Sequence, residues 1–402
     1  MEFIREKIKE KPVNKKRVLA NIGLSVLCGL VFAITVCIVL LFLLPHIKKP
    51  GSDTQMLGDN TTQELQIDID TENLLIPSDV NLTISDYQNL QKELYMVGNE
   101  VNKAIVTIKS NNDWTETSYE DEEQGAGLIV GNDNFYFYIL TERKYLSTTE
   151  NIHVMFFDET RAKAVLLGQD GNTGIAVLAI ENKQLKEETR KNIRIATLGS
   201  SYTIENGAVV IAVGSPLGTS YSIQTGNITS INNEVTTKDK NYAIYTTDIV
   251  GNKQSSGVLT NVRGEVIGMV MQSFQDSEES HTLTAVPIME IVDIIEQLKD
   301  RRHISYIGLY ISTVTDRISK EYDIPRGVYI REVAPDSPAM KAGLQSGDII
   351  TKINGETVRT DTGYSQKVRK LIPGTICEIS VKRQNGTEYY DVTCFVNISV
   401  LQ

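Results

Sequence analysis

Val18 to Leu44 runs for 27 residues without a charged side chain. A helix of that length reaches roughly 40 Å at about 1.5 Å per residue, more than the ~30 Å hydrocarbon core of a bilayer. The run is longer than the ~7–15-residue apolar region of a cleaved signal peptide. It leads into Pro45-His46-Ile47-Lys48-Lys49, which offers no small-residue cleavage site. Seven Lys/Arg precede it and two follow, so the positive-inside bias places residues 1–17 in the cytoplasm and everything beyond 44 outside. The expectation is a single-pass cell-membrane protein with an extracytoplasmic body.

Charge is distributed accordingly. Residues 1–49 hold nine Lys/Arg against three Asp/Glu, a net +6, and the remainder carries −17 of the total −11. A body that acidic is excluded as a nucleic-acid binder, because such binding neutralises phosphates with Lys/Arg. Residues 51–86 contain eight Asp/Glu and no Lys or Arg, which predicts an extended, self-repelling tether over 45–84. Of the four cysteines, Cys28 and Cys37 fall in the apolar run. Cys377 and Cys394 are read as two buried free thiols, with a bridge between them as the alternative.

Beyond the tether, Leu90, Leu94, Val97 and Val101 recur at helical spacing behind Ser85, a candidate N-cap. From Ala104 the text becomes short strand runs broken by turn residues: 125–130, 135–141, 152–157, 162–167, 175–180, 208–213 and 224–231. That cadence predicts an all-β barrel or sandwich. An amphipathic helix from Pro287 to Leu298, with Ile288, Ile291, Val292, Ile295 and Leu298 apolar, closes the domain. The expected divisions are 1–17, 18–44, 45–84, 85–300 and 304–397, and the fold class is mostly β.

Tyr245 to Val270, YTTDIVGNKQSSGVLTNVRGEVIGMV, presents a polar loop from Gly251 to Gly257 ahead of two β-rich runs. It resembles the nucleophile segment of the HtrA (Deg) family, with Ser255 on the nucleophile and Gly257, Leu259 and Asn261 matching beyond it. Gly125 to Val130, Gly168-Gln169-Asp170, Ile175 to Ile180, Ala196 to Gly199 and Gly214 to Gly218 match the family's other segments in order. The resemblance covers nearly all of 98–298. It implies a trypsin-like domain of two β-barrels with the site between them.

The resemblance also locates two losses. The family's catalytic histidine position holds Lys144, in Leu140-Thr141-Glu142-Arg143-Lys144, and its aspartate position holds Gly174. Serine is a weak nucleophile without a base and a group to orient that base. His46, His153, His281 and His303 are the only histidines, and none stands at a base position. The oxyanion hole, which the family builds from the N–H groups of the nucleophile and of the glycine two before it, involves Ser255 and Lys253 here. A side chain at 253 disfavours positive φ.

From Ile304 onward the chain resembles the PDZ domain that follows the protease domain in this family, on Val333 to Ala339 and Ala342 to Ile350. The resemblance assigns Tyr306, Ile307, Gly308 and Leu309 to a loop that captures a peptide C-terminal carboxylate. It assigns Leu309 to Ile311 to a strand that adds the peptide to the sheet, and Tyr364 and Val368 to a helix over 362–371 that walls the groove. The resulting expectation is an anchored pseudoprotease that binds peptide or unfolded-protein C-termini in envelope protein quality control. Two other readings stay open: an endopeptidase pairing Ser255 with Lys144, and a structural partner of an active relative. The resemblance implies a homo-oligomer, trimers being common in the family. No metal cluster or phosphate-cradling loop is present in the sequence, so no cofactor or metal is expected.

Overall fold

The computed structural model describes residues 82–110, 124–274, 281–386 and 388–401. The predicted membrane span and most of the tether, with Cys28, Cys37 and His46, lie outside the described residues. Among the described residues no helix is long and apolar enough to cross a membrane.

Helix α1 (Ile84–Asn102) opens the described body. Its N-cap is Thr83 rather than the expected Ser85. Asp86 decides this: its carboxylate accepts from the Thr83 N–H at 2.8 Å while its own N–H donates to the Thr83 hydroxyl at 3.3 Å. Such a reciprocal box satisfies two N–H groups that the first helical turn leaves unpaired. Leu94 is buried and Gly98 lets the helix close on Ile223, whereas Leu90 stays exposed.

Two closed six-stranded antiparallel barrels follow. The first runs through β1 (Ile105–Lys109), β2 (Gln124–Asn132), β3 (Tyr136–Glu142), β4 (Ile152–Phe156), β5 (Arg161–Gln169) and β6 (Ile175–Glu181). Helix α2 (Glu187–Asn192) leads on to the second barrel. Its strands are β7 (Val209–Ser215), β8 (Ser222–Thr237), β9 (Lys240–Val250), β10 (Ser256–Thr260), β11 (Val266–Val270) and β12 (Thr282–Pro287). The long apolar runs have a physical cause. Side chains alternate across a strand, and on β6 Ala176, Leu178 and Ile180 fill the first barrel while Ile175 and Val177 face a separate core between the barrels. Strand β7 does the same, with Val210 and Ala212 inside and Ile211 and Val213 in the shared core. A strand buried on both faces has no polar alternation to show. Helix α3 (Ile288–Lys299) lays Ile288, Ile291, Ile294, Ile295 and Leu298 into that shared core.

The C-terminal domain has β13 (Ser305–Tyr306), β14 (Leu309–Thr313), α4 (Asp316–Tyr322), β15 (Val328–Val333), α5 (Pro338–Lys341), β16 (Ile349–Ile353), β17 (Glu356–Thr357), α6 (Asp361–Arg369), β18 (Ile376–Asn385), β19 (Glu388–Asn397) and β20 (Ser399–Val400). Its main sheet is ordered β14-β15-β16-β18-β19, with β17 beside β16. Cys377 and Cys394 are buried free thiols, as residues on adjacent strands of one core.

Candidate functional site

The fold brings the three positions that the sequence suggests for a triad, 144, 174 and 255, to one seam. Gly174 accepts a backbone bond from Arg143 N–H at 2.6 Å, next to Lys144. The Tyr145 hydroxyl, one residue further, donates to the carbonyls of Gln254 and Ser255 at 3.3 and 3.2 Å. Ser256 adds a tie to the first barrel, its Oγ accepting from Ala126 N–H at 2.9 Å. Residues 143–145, 174 and 254–255 are thus neighbours. Chemistry is another matter.

Ser255 is fully buried. Its Oγ donates to the Pro216 carbonyl at 2.6 Å and accepts from Asn252 N–H at 2.7 Å. Its own N–H, which an oxyanion hole would aim outward, donates to the Asn252 carbonyl at 3.0 Å. The Asn252 side chain completes the turn, accepting from Gln254 N–H at 2.9 Å and donating to the Leu217 carbonyl at 3.3 Å. The hydroxyl and the N–H of Ser255 are thus both engaged, within the loop and with Pro216. Lys253 carries no positive φ, the backbone conformation that a residue with a side chain favours. Downstream, Gly257 has φ +117°, and a Cβ there would lie 2.2 Å from the Val213 carbonyl. That close approach of β10 to β7 explains the glycine independently of catalysis.

Lys144 turns to Glu142, Nζ to Oε1 3.1 Å, and lies 4.9 Å from the Tyr145 ring centroid. Among the described residues neither Lys144 nor any histidine hydrogen-bonds Ser255. His153 sits on β4, paired in register with Lys109 and Lys163. The ion pair lies off the hydrogen-bonding direction, leaving Glu142 Oε1 without a hydrogen bond. Burial pushes the Glu142 carboxyl up to about 7, against the opposing pull of Lys144. Gly174 has φ +77° and open space where a side chain would be. The carboxylate of that segment is Asp170, buried and closing a turn through Asn172 N–H at 3.1 Å and the Thr173 hydroxyl at 2.7 Å.

A second candidate site lies in the C-terminal domain, where four of the seven residues expected to contact a peptide, Ile307, Gly308, Leu309 and Tyr364, aim donors at one point. Gly308, at φ +95°, turns the Tyr306–Leu309 loop so that three successive N–H groups converge. Burial and a facing carboxylate push the Tyr364 phenol well above its usual value, so it stays a donor into the same cradle. Leu309, Ile311, Tyr364 and Val368 are all buried in this domain's own hydrophobic core, so Ile311 and Val368 offer no side chain to the cradle, and Leu309 and Tyr364 offer only an N–H and a hydroxyl. The cradle is occupied. Its occupant is Asp239, at the tip of the β8–β9 hairpin of the second barrel. The Asp239 carboxylate accepts from Ile307 N–H at 2.7 Å, Gly308 N–H at 2.8 Å, Leu309 N–H at 3.1 Å and the Tyr364 hydroxyl at 2.8 Å. Asp239 N–H donates back to the Leu309 carbonyl at 2.7 Å, and its carbonyl accepts from Ser365 Oγ at 2.7 Å. Burial raises the Asp239 carboxyl above its ordinary value, and its donors pull it back.

Neither Asp239 nor Asn172 is visible as functional in the sequence. Asn172, on the turn before Gly174, donates to Thr237 Oγ1 at 3.0 Å and the Lys238 carbonyl at 2.8 Å, and accepts from Lys238 N–H at 3.2 Å. The only available signal was that Lys238-Asp239 falls in a turn between two strand runs.

Comparison with known proteins agrees with this architecture. Residues 125–269 match the trypsin-like peptidase domain and residues 305–394 the PDZ domain. A probable periplasmic serine endoprotease, DegP-like, of Halomonas elongata is 32% identical over 285 residues, 69% of this chain and 57% of the relative. Its counterpart in Pseudomonas savastanoi pv. phaseolicola is 32% identical over 280 residues, 68% of this chain and 56% of the relative. The chain belongs to the HtrA/DegP family. It spans little more than half the length of these curated relatives. In fold it is similar to the HtrA-type protease AlgW with decapeptide, with TM-score 0.54 and 21% identity over 76% of this chain and 98% of that one. It is likewise similar to the serine endoprotease from Yersinia pestis, with TM-score 0.52 and 23% identity over 77% of this chain and 98% of that one.

Proposed function

We propose that this HtrA/DegP-family chain is a pseudoprotease whose working site is the carboxylate cradle of its PDZ domain. The observation that carries the reading is the bond from Ser255 Oγ to the Pro216 carbonyl, in a side chain with no exposed surface. A hydroxyl already donating to a backbone oxygen has no base to receive its proton, and a serine N–H turned inward stabilises no oxyanion. Lys144 paired with Glu142, and Gly174 without a side chain, support the same conclusion.

The cradle supports peptide binding. Three backbone N–H groups and a phenol converging on one carboxylate are the donor set that a peptide C-terminus requires. The ligand class proposed is a peptide or unfolded chain with a free C-terminal carboxylate. The uncharged run at 18–44 supports a membrane anchor with the body outside, and the family supports a homo-oligomer. Together these fit a sensing or scaffolding role in envelope protein quality control.

The test uses a fluorophosphonate probe on the full chain, beside a Ser255→Ala control. No difference in labelling is expected. Labelling that disappears in the control would show an activated serine, and the pseudoprotease reading would fall.

A further inference from the structure

The β8–β9 hairpin enters the PDZ groove as a peptide would. Asp239 and Leu309 exchange bonds: Asp239 N–H donates to the Leu309 carbonyl, and Leu309 N–H donates to the Asp239 carboxylate. Further along the same edge strand, Asn241 Nδ2 donates to the Ile311 carbonyl at 3.2 Å and to Asp361 Oδ2 at 3.0 Å. The hairpin therefore engages two main-chain carbonyls of the edge strand, Leu309 and Ile311, as well as the carboxylate donors. Asp239 reaches this geometry at φ +62°, a left-handed conformation that a non-glycine residue adopts at a cost.

We propose that Asp239 is a resident mimic of a peptide C-terminus, and that the PDZ groove is self-occupied until an external C-terminal carboxylate displaces the hairpin. This rests on the reading of the cradle as a peptide-carboxylate site. A carboxylate cannot share three converging N–H groups with a second one, so the two ligands are mutually exclusive. Displacement also has a geometric consequence. The hairpin is held on the barrel side by Asn172. Vacating the groove therefore separates the PDZ domain from the barrels and breaks the contact of Arg369 with Asp293, 3.0 Å between helices α6 and α3. Apparent affinity for an external ligand is reduced by the fraction of molecules that are open.

Two measurements on the full chain test this, comparing the wild type with Asp239→Ala. Hydrogen exchange reads occupancy without any ligand. The Ile307, Gly308 and Leu309 amides are expected to exchange at least tenfold faster in the variant while amides of β6 and β7 keep their protection. Fluorescence anisotropy reads competition, with a labelled decapeptide pool of randomised sequence carrying a free C-terminal carboxylate and the same pool as C-terminal carboxamides. The carboxylate pool is expected to bind the variant at least tenfold more tightly than the wild type, and the carboxamide pool to bind neither. Unchanged exchange would overturn self-occupancy and leave the peptide reading standing. Faster exchange with equal carboxylate affinity in both proteins would overturn mutual exclusion. Faster exchange with no carboxylate binding to either would overturn the displacement together with the peptide reading on which it rests.

Discussion

The nucleophile loop and the carboxylate cradle are both closed by hydrogen bonds, but the closures differ in reach. Ser255 finds its acceptors inside its own barrel, its N–H at Asn252 and its hydroxyl at Pro216. The cradle finds its acceptor 68 to 70 residues away, on another domain. A closure within one barrel survives any domain movement. A distant one exists only while two domains stay together. The first site therefore has the properties of a structural element, and the second those of a switchable one.

The largest effect that would sharpen this contrast is at Gly257. Gly257→Ala drives a Cβ against the Val213 carbonyl in a left-handed conformation, and should lower stability by about 3 kcal/mol or more in denaturant titration. A small effect would show that the seam between β7 and β10 yields, and that the nucleophile loop is less fixed than its bonds indicate.

Next is Glu142. A carboxyl raised from 4.5 to about 7 in the folded chain binds its proton more tightly there than when unfolded. Stability should therefore fall as pH rises from about 4.5 to 7, and stay lowered above that. Glu142→Gln should remove this slope and be more stable than wild type above pH 7, by on the order of 3 kcal/mol, with no advantage below about pH 4.5. Parallel stability curves for the two proteins would show that the buried pair is neutralised some other way.

Ser255→Ala comes third. Removing a buried hydroxyl strands the Pro216 carbonyl and the Asn252 N–H, so thermal or chemical melting should show a loss of about 1–3 kcal/mol. A functional nucleophile often behaves in the opposite way, its removal relieving strain. A stabilised variant would break the comparison at its root. Smallest is Asn172→Ala, which frees the tip of the hairpin beside Asp239. It should destabilise the chain by about 1 kcal/mol and speed exchange at Ile307 to Leu309 without altering fluorophosphonate labelling. Exchange unchanged in that variant would mean that the hairpin stays docked without the Asn172 clamp.

Much of this was legible in the sequence, for identifiable reasons. The barrels show because strands such as β6 serve two cores and so read as unbroken apolar runs. The PDZ domain shows because its turns need Gly308, Gly343 and Gly347 in left-handed conformations, which fixes residue type in a recognisable order. Lys144 and Gly174 draw attention because they fall where the resembled motif carries a histidine and an aspartate. What did not show depends on contacts that local pattern cannot encode. The bond from Ser255 to Pro216 spans 39 residues, and an Asp in a hairpin turn looks the same whether it faces water or another domain. The N-cap was misplaced by two residues because Asp86 favours Thr83 through a reciprocal bond rather than through its own preference.

A ligand carried on the same chain also sets a threshold. Held by its hairpin, Asp239 competes at an effective concentration that does not dilute, of order millimolar for closely linked groups. On the proposal, an external C-terminus fills the groove only at a concentration raised above its own dissociation constant by the factor that hairpin closure imposes, so scarce or weakly matching chain ends occupy little of it. The residue at the tip of one β-turn would then set the concentration at which the groove responds.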